Sequence, residues 1–336
     1  MDESEKRKTK SVKHKFPSEL RFDLISKDWV VIATGRARRP ETFKKEKRVK
    51  EEIPKKECPF CNIGKDEKPT LVLSNTIVLP NKYPAFTPHA ELHKRVEGKF
   101  YQTVNAVGFH EVVVTRDHKK SLAQLSTAQV KEVMDAYHQR YLELKKEKFV
   151  HYVSIFHNHG KEAGASISHP HSQIITTPLV DTDLRKALAN SGKYFIKTGK
   201  CIYCEMNIWE RRVKKRVVFE NEEFQVICPF ASKAAFEMII SPKKHMAYFE
   251  DITENEKWQL ADTFRQALHK LYKALADPSY NFYLHTAPCD ARTCSYYHWH
   301  WTIVPKTATW AGFEIGTRIE ISTIEPERAA EYLRKQ

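Results

Sequence analysis

Two pairs of closely spaced cysteines are the first chemical feature of this sequence. They read Cys58-Pro-Phe-Cys61 and Cys201-Ile-Tyr-Cys204, and each pair is followed by a single histidine and then by a His-x-His segment. Two thiolates and two imidazoles suit tetrahedral Zn²⁺ and leave no position open for a substrate. The sequence therefore predicts two structural zinc ions per chain, one held by Cys58, Cys61, His118 and His169 and the other by Cys201, Cys204, His245 and His298.

Three other interpretations of the cysteine pairs compete with this one. A redox protein would use Cys-x-x-Cys as a reactive thiol pair without metal. A zinc module that binds nucleic acid would need its basic segment on a helix or sheet face beside stacking aromatics. Merely buried thiols are the third possibility. The repeated histidine frame favours structural zinc sites over all three. Metal analysis would separate the redox protein, and a steep salt dependence of binding would identify the nucleic-acid module.

The elements around these ligands occur twice in the same order. In each copy a β-branched strand leads through a basic turn to a histidine, an amphipathic helix follows, and two further strands flank the His-x-His segment. The turn histidine precedes that segment by 51 residues in the first copy and by 53 in the second. Helices are predicted at 126–146, with Ser126 or Thr127 as N-cap, and at 253–275, with Thr253 as N-cap. Strands are predicted within 108–118, 150–156 and 174–177 and, in the second copy, within 235–245, 281–285 and 302–304.

This duplication predicts an α+β fold. Each half would be a mostly antiparallel sheet with a long helix packed on it, because antiparallel sheets tolerate one wet face. We expect a basic flexible tail at residues 1–16, an N-terminal half at 17–190 and a C-terminal half at 191–336. The active site is expected where strands of the first half meet the second half.

Composition and charge exclude several classes of protein. Hydrophobic residues make up 41% of the chain, which is enough for a sizeable core. The apolar runs are far shorter than the roughly 18 residues that span a bilayer, and the charged N-terminus lacks a signal-peptide core. Neither a dinucleotide-binding nor a P-loop glycine motif occurs. Of the 14 surplus positive charges, nine lie in 1–16 and 36–56, where a solvated surface is the expected interpretation. We expect a soluble cytoplasmic protein that binds neither membranes nor nucleic acid.

A phosphate-binding site is predicted around the first His-x-His segment. Small residues precede it, and Gly160, Gly164 and Ser166 allow backbone N–H groups to approach a phosphate closely. His171 and Gln173 share one face of an extended segment. A neutral imidazole at such a site can attack phosphorus, and an amide can donate to the phosphoryl oxygens.

Together these segments resemble the galactose-1-phosphate uridylyltransferase family of the histidine-triad superfamily. The resemblance covers nearly the whole chain, and the halves are then expected to be histidine-triad-like. It is carried by both cysteine pairs and by the segments at 28–33, 36–40, 81–86, 164–173 and 311–316. The cysteine pair in the second half and the short loop at 305–312 are similar to the shorter branch of the family, which includes plant ADP-glucose phosphorylase.

The resemblance implies ping-pong nucleotidyl transfer in galactose and other carbohydrate metabolism. His171 would carry the nucleotidyl group, while Gln173 and Ser166 hold the phosphoryl oxygens. The remaining implied binding residues are Asn81 at the base or ribose, Arg36 and Arg39 near the diphosphate, Asn158 and Gly164 along the nucleotide, and Phe313 and Glu314 at the hexose. The family also implies a homodimer in which each chain reaches into its partner's site.

Two reactions fit these residues. The first moves a nucleoside monophosphate between hexose 1-phosphates, with a nucleotide-sugar and a sugar 1-phosphate as substrates, as in UDP-glucose–hexose-1-phosphate uridylyltransferase. The alternative is an ADP-glucose or dinucleotide phosphorylase that uses the same histidine. Ser172, in place of the usual glycine, and the absence of an evident lysine in the 305–312 loop leave the base and the acceptor open.

Overall fold

One large antiparallel sheet organises the molecule. The computed structural model describes residues 18–33, 53–64, 67–89 and 91–336. The ten strands of this sheet are β3 (Leu71–Val72), β4 (Thr76–Pro80), β7 (His110–Thr115), β8 (Tyr152–His159), β9 (His171–Thr177), β10 (Val217–Glu220), β11 (Phe224–Ile227), β12 (Met238–Pro242), β13 (Tyr280–His285) and β14 (His300–Pro305). They are arranged in the order β10-β11-β12-β14-β13-β8-β9-β7-β4-β3.

The strand order confirms the duplication. Outward from the centre, the first half contributes β8, β9, β7 and β4, and the second contributes β13, β14, β12 and β11. The two halves join where β8 pairs antiparallel with β13, with Phe156 opposite Tyr283 and Asn158 opposite Asn281. The predicted α+β fold of two similar halves is therefore confirmed, and the halves share one continuous sheet.

Two smaller sheets flank the large one. One contains β1 (Glu19–Phe22), β2 (Trp29–Ile32) and β15 (Ile321–Ser322). The other is a hairpin of β5 (Lys94–Glu97) and β6 (Tyr101–Val104), whose eight residues are all exposed.

Both predicted long helices are confirmed. The first, α1 (Thr127–Leu144), begins after a capping box at Ser126, and the second long helix, Glu254–Leu275, begins after a capping box at Thr253. Each box satisfies backbone N–H groups that the first turn leaves unpaired. Both helices bury apolar residues in the main core, which also contains Trp299 and Trp301. The main core therefore lies on the side of the sheet that these two helices cover.

Other helices complete the fold. They are α2 (Thr182–Thr198), α3 (Ile202–Val213), α5 (Gly312–Thr317) and α6 (Pro326–Arg334). The second long helix, Glu254–Leu275, is α4. No element was predicted between 179 and 200, where the structure has α2. The strand predicted at 150–156 starts at Tyr152 and continues to His159. None of the helices in the described ranges is long and apolar enough to cross a membrane.

Successive side chains of strand β9 point to opposite faces of the sheet, so His171 and Gln173 are separated from the core. Ser172 lies on the helix side, where its hydroxyl is 2.5 Å from the Tyr137 hydroxyl of α1 and 2.9 Å from Nδ1 of buried His157. Successive side chains of a strand point to opposite faces. His171 and Gln173 therefore lie on the face of the sheet opposite α1.

A buried carboxyl group predicts how stability depends on pH. Glu237 is buried and accepts hydrogen bonds from the backbone N–H groups of Lys233 and Ala234, at 2.5 and 3.4 Å. Burial raises its pKa from 4.5 to about 7. Between these values the unfolded chain loses this proton while the folded chain keeps it, so stability falls as pH rises. We expect the titration of Glu237 to lower the free energy of unfolding by about 3 kcal/mol between pH 4.5 and 7.

Chemical denaturation at about pH 5 and about pH 8, on either side of this titration, tests the effect. The Glu237→Gln variant should lose less stability than the wild-type protein over that interval. Glu222→Gln, at an exposed position beside the same sheet, is the matched control and should follow the wild-type profile. Identical pH profiles for the wild-type protein and Glu237→Gln would contradict the assignment.

Candidate active site and metal clusters

The structure assembles both predicted metal-ligand sets. In each set of two cysteines and two histidines, the four ligand atoms lie within 4.8 Å of one another. In the first, Cys61 Sγ lies 3.3 Å from His118 Nδ1, and Cys58 Sγ lies 3.4 Å from His169 Nδ1. In the second, Cys204 Sγ lies 3.3 and 3.4 Å from the two histidine Nδ1 atoms. Bond lengths near ~2.1 and ~2.3 Å give a tetrahedral edge of about 3.6 Å, so both sets fit a single small ion.

All four cluster histidines are oriented as metal ligands. Each presents Nδ1 to the cluster and donates from Nε2–H to a backbone carbonyl. The acceptors are the carbonyls of Ile53 for His118 (2.9 Å), Thr115 for His169 (2.7 Å), Ser295 for His245 (2.6 Å) and Pro242 for His298 (3.0 Å). A carbonyl oxygen can only accept, so Nε2 carries the hydrogen and the Nδ1 lone pair faces the cluster. Both groups can therefore hold a metal ion.

His171 starts β9 immediately beyond the first cluster. It is buried, and its Nδ1–H donates to the carbonyl of His169 at 2.9 Å. The lone pair is therefore on Nε2, which no described residue contacts by a hydrogen bond. Burial lowers the pKa of His171 below its usual value, against the opposing effect of the carbonyl acceptor. A neutral imidazole with a free Nε2 is the form that acts as a nucleophile.

Apolar residues form a wall beside His171. Phe60, from the first cysteine turn, places its ring 4.9 Å from the His171 ring. Val114 lies opposite His171 and Val112 opposite Gln173 in the β7–β9 register, so both valines share this face. They pack with Ile77 and Leu79 in a small apolar cluster that Phe60 covers. The first group of cysteine and histidine ligands therefore positions His171 both through the His169 carbonyl and through Phe60 of the cysteine turn.

Gln173 lies in a hydrogen-bonded group that contains a residue missed by the sequence analysis. His110 Nε2 is 2.8 Å from Gln173 Oε1 and 3.0 Å from Asn81 Nδ2. The structure thus brings the predicted residues Asn81 and Gln173 together around His110. The only sequence signal for His110 was its position at the start of a predicted strand, which did not distinguish it from other histidines.

The loop that contains Gly160 and Gly164 is held by residues of the second half of the chain. Asn281 of β13 donates from Nδ2 to Asn158 Oδ1 and to the Ala163 carbonyl, both at 2.8 Å. Gly160 has φ +81°, and a Cβ there would lie 2.2 Å from Ser279 Oγ, so only glycine fits. Gly164 has φ +87° and lies against the Asn158 amide. Asn281 was not predicted either, because its partners are more than a hundred residues away and leave no local pattern.

Other predicted site residues are not brought to His171. Ser166 is exposed, and no hydrogen bond connects it to the described residues around His171 or Gln173. Phe313 is half-exposed on α5, and Glu314 accepts from the N–H of Ala311 at the start of its own helix, at 3.1 Å. Arg36, Arg39 and the predicted basic tail lie outside the described residues. The roles assigned to these residues stay predictions.

The second half repeats the geometry of His171. His300 Nδ1 lies 3.1 Å from the His298 carbonyl, and Tyr203, from the second cysteine turn, packs 5.4 Å from its ring. His285 stacks on its other side at 4.8 Å. His300 thus lies between two aromatic rings, and Thr302 occupies the position that Gln173 has relative to His171, so His300 lacks a neighbouring amide group.

Comparison with known proteins places the chain in a family. The galactose-1-phosphate uridyl transferase N-terminal domain matches residues 7–181, and the corresponding C-terminal domain matches 187–335. ADP-glucose phosphorylase of Arabidopsis thaliana is 32% identical over 97% of this chain and 94% of its own length. Galactose-1-phosphate uridylyltransferase of Thermotoga maritima is 28% identical over 94% and 98%. An Arabidopsis thaliana ADP-glucose phosphorylase structure with bound ADP-glucose superposes with a TM-score of 0.79 at 28% identity, covering 95% of this chain and 99% of that one. The chain therefore belongs to the galactose-1-phosphate uridyl transferase family of nucleotidyltransferases.

Proposed function

We propose that this protein transfers a nucleoside monophosphate from a nucleotide-sugar to a phosphate-bearing acceptor through His171. The observation that carries the proposal is the hydrogen bond from His171 Nδ1–H to the His169 carbonyl at 2.9 Å. It fixes the tautomer in which Nε2 has the lone pair. In the first step Nε2 attacks the α-phosphorus, an N–P bond forms, and the P–O bond to the sugar 1-phosphate breaks. In the second step an acceptor phosphate oxygen attacks phosphorus and releases the imidazole.

The surrounding residues suit this chemistry. When Nε2 bonds to phosphorus the imidazole becomes positively charged, and the His169 carbonyl oxygen stabilises that charge. Gln173 lies two residues along the same face and donates to the phosphoryl oxygens. The apolar wall with Val112, Val114 and Phe60 excludes water from the nucleotidyl-histidine. Ser166 and Gly164 would hold phosphoryl oxygens and nucleotide from the loop above, with Arg36 and Arg39 near the diphosphate.

We also propose zinc as the ion of both metal clusters, with a structural role. Two thiolates and two imidazoles prefer zinc among the common divalent ions, and four protein ligands leave no place for substrate. Zinc would tie the first cysteine turn to β9 and the second to β14.

A homodimer would complete the site. The β5–β6 hairpin exposes Phe100 and Tyr101 at 82% and 69%, and an isolated two-stranded hairpin is marginally stable in water. Helix α5 buries none of its own residues. We propose that a second copy covers these segments and that Phe313 and Glu314 bind the hexose in the partner's site. Light scattering should give twice the chain mass.

Sequence similarity favours a second candidate reaction. The 32% identity to ADP-glucose phosphorylase over 97% of the chain supports phosphorolysis of ADP-glucose, with inorganic phosphate as acceptor. The first candidate remains uridylyl transfer between hexose 1-phosphates. Both reactions use the same histidine and differ in the base and the acceptor.

Incubation with UDP-glucose and with ADP-glucose separately tests the proposal. We expect one of them to release up to one glucose 1-phosphate per site and to make the protein heavier by one nucleotidyl group. Adding galactose 1-phosphate or inorganic phosphate to the labelled protein then identifies the acceptor. If no release or mass increase occurs until an acceptor is added, the histidine intermediate is wrong even where overall transfer takes place.

The two hydrogen bonds that Asn281 donates to Asn158 and to the Ala163 carbonyl predict a smaller effect, on substrate affinity. Asn281→Ala removes two hydrogen bonds that hold Asn158 and the loop, which are worth about 1 kcal/mol each. We expect KM for the nucleotide-sugar to rise roughly tenfold with metal content unchanged. Tyr283→Phe, on the same strand, is the control and should leave KM near the wild-type value in steady-state kinetics. An unchanged KM in Asn281→Ala would show that Asn281 does not position Asn158 and the loop for substrate binding.

A further inference from the structure

The imidazole of His110 lies between a backbone N–H and two side-chain amides. Its Nδ1 is 3.1 Å from the N–H of Ala85, and its Nε2 is 2.8 Å from Gln173 Oε1 and 3.0 Å from Asn81 Nδ2. His110 begins β7, which pairs directly with β9. A side-chain amide can exchange its oxygen and nitrogen by rotating, but a backbone N–H cannot, so Ala85 is the contact that decides the others.

The Ala85 contact fixes the tautomer of His110. A backbone N–H only donates, so His110 Nδ1 accepts and carries no hydrogen. A neutral imidazole has one N–H, which must then be on Nε2. This N–H donates to the nearer acceptor, Gln173 Oε1.

The same bond fixes the amide of Gln173. With its oxygen held by His110, the Gln173 amide has both N–H groups directed away from β7. We propose that His110 is a positioning residue that locks this orientation, so that Gln173 presents two donors to the phosphoryl group at His171. The inference rests on the proposed function, in which that phosphoryl group carries the nucleotide.

The Asn81 amide makes no hydrogen bond with His110 in this tautomer. Its oxygen accepts from the N–H of Tyr83 at 2.9 Å, so its NH₂ group faces His110 Nε2–H. The Asn81 NH₂ group and the His110 Nε2–H are both donors, so they form no hydrogen bond with each other at 3.0 Å. The hydrogens of Asn81 therefore remain for an acceptor on a ligand, and an anionic oxygen between Asn81 and Gln173 would satisfy both amides.

A double-mutant cycle tests whether His110 acts through Gln173. His110→Phe keeps a ring of similar shape but lets the Gln173 amide rotate freely. We expect kcat for nucleotidylation to fall roughly tenfold with little change in KM, because the donors act on the developing phosphoryl charge. Gln173→Ala should lower kcat about a hundredfold. Adding His110→Phe to Gln173→Ala should cause no further loss.

His138→Phe is the matched control for the substitution itself. His138 is a half-buried histidine of α1 that donates to the Glu250 carbonyl at 2.9 Å, away from β7 and β9. Its replacement should leave kcat unchanged. Additive losses in the double variant of His110 and Gln173, or wild-type kcat in His110→Phe, would overturn the proposal.

Nitrogen NMR provides a readout that does not depend on activity. Long-range ¹H–¹⁵N spectra at neutral pH, assigned by the signal missing in His110→Phe, should show a protonated Nε2 and an unprotonated Nδ1 for His110. A protonated Nδ1 would overturn the proposal. If the wild-type protein forms no nucleotidyl adduct, the proposed function is wrong. The NMR spectrum would still show whether His110 Nε2–H donates to the Gln173 oxygen, so the two failures can be distinguished.

Discussion

Replacing His171 by asparagine is expected to abolish nucleotidyl transfer while the fold and both metal ions remain. Asparagine is polar enough for the site but has no nucleophilic lone pair comparable to imidazole Nε2. Loss of a covalent nucleophile lowers kcat by roughly 10⁴-fold or more. The measurements are kcat with the preferred nucleotide-sugar, the mass of the protein after incubation with it, metal content and thermal unfolding.

The matched control is the equivalent histidine of the second half. His300 makes the same hydrogen bond two residues back along its strand, at 3.1 Å, and packs against the corresponding aromatic residue, Tyr203. His300→Asn should keep kcat within a few-fold of wild type and still form the adduct. Substantial activity in His171→Asn, or an equal loss in both variants, would show that His171 is not the nucleophile.

Loss of one cysteine from each metal cluster is expected to cost similar stability but very different activity. Cys58→Ser and Cys201→Ser should each retain one zinc per chain instead of two. Because structural zinc contributes directly to folding free energy, each should lose about 3 kcal/mol or more and at least about 5 °C in Tm. Elemental analysis and thermal unfolding measure both effects.

The activities should differ because, among the described residues, those of the first cluster contact the proposed nucleophile, His171, and those of the second do not. The His169 carbonyl and Phe60 both position His171, at 2.9 Å and 4.9 Å. A displacement of the nucleophile by about 1 Å costs on the order of 10²-fold in rate. We expect that loss in Cys58→Ser and kcat within a few-fold of wild type in Cys201→Ser. Wild-type protein with fewer than one zinc per chain would contradict the zinc assignment, and equal activities would contradict the coupling to His171.

Features marked by residue type, by repetition or by local chemistry were predicted from the sequence alone. The two ligand sets join distant residues, but cysteine pairs and histidines recur with similar spacing in both halves, and both sets are assembled in the structure. The long helices begin after N-caps at Ser126 and Thr253, and a few neighbouring residues encode this capping pattern. The duplication was visible because each half repeats the same short-range order of strand, turn, helix and strand.

Contacts between distant segments were decided only by the tertiary structure. His110 reaches Gln173 across 63 residues, and Asn281 reaches Asn158 across 123, so no local pattern marks either partner. Their side chains meet because β7 pairs with β9 and β8 with β13 in one particular register, and a shift of one residue would turn each of them to the other face.

The tertiary structure also distinguishes the two His-x-His segments. Locally they are alike, since His171 and His300 each bond the carbonyl two residues before. His300 lies between the rings of Tyr203 and His285, whereas His171 lies beside an apolar wall and the amide of Gln173. The sequence by itself determined which residues could carry the chemistry, and it already favoured the first His-x-His segment through Gln173 and the small residues before it. The packing around the two equivalent strands decided the surroundings of each histidine, because burial and neighbouring groups depend on the whole sheet.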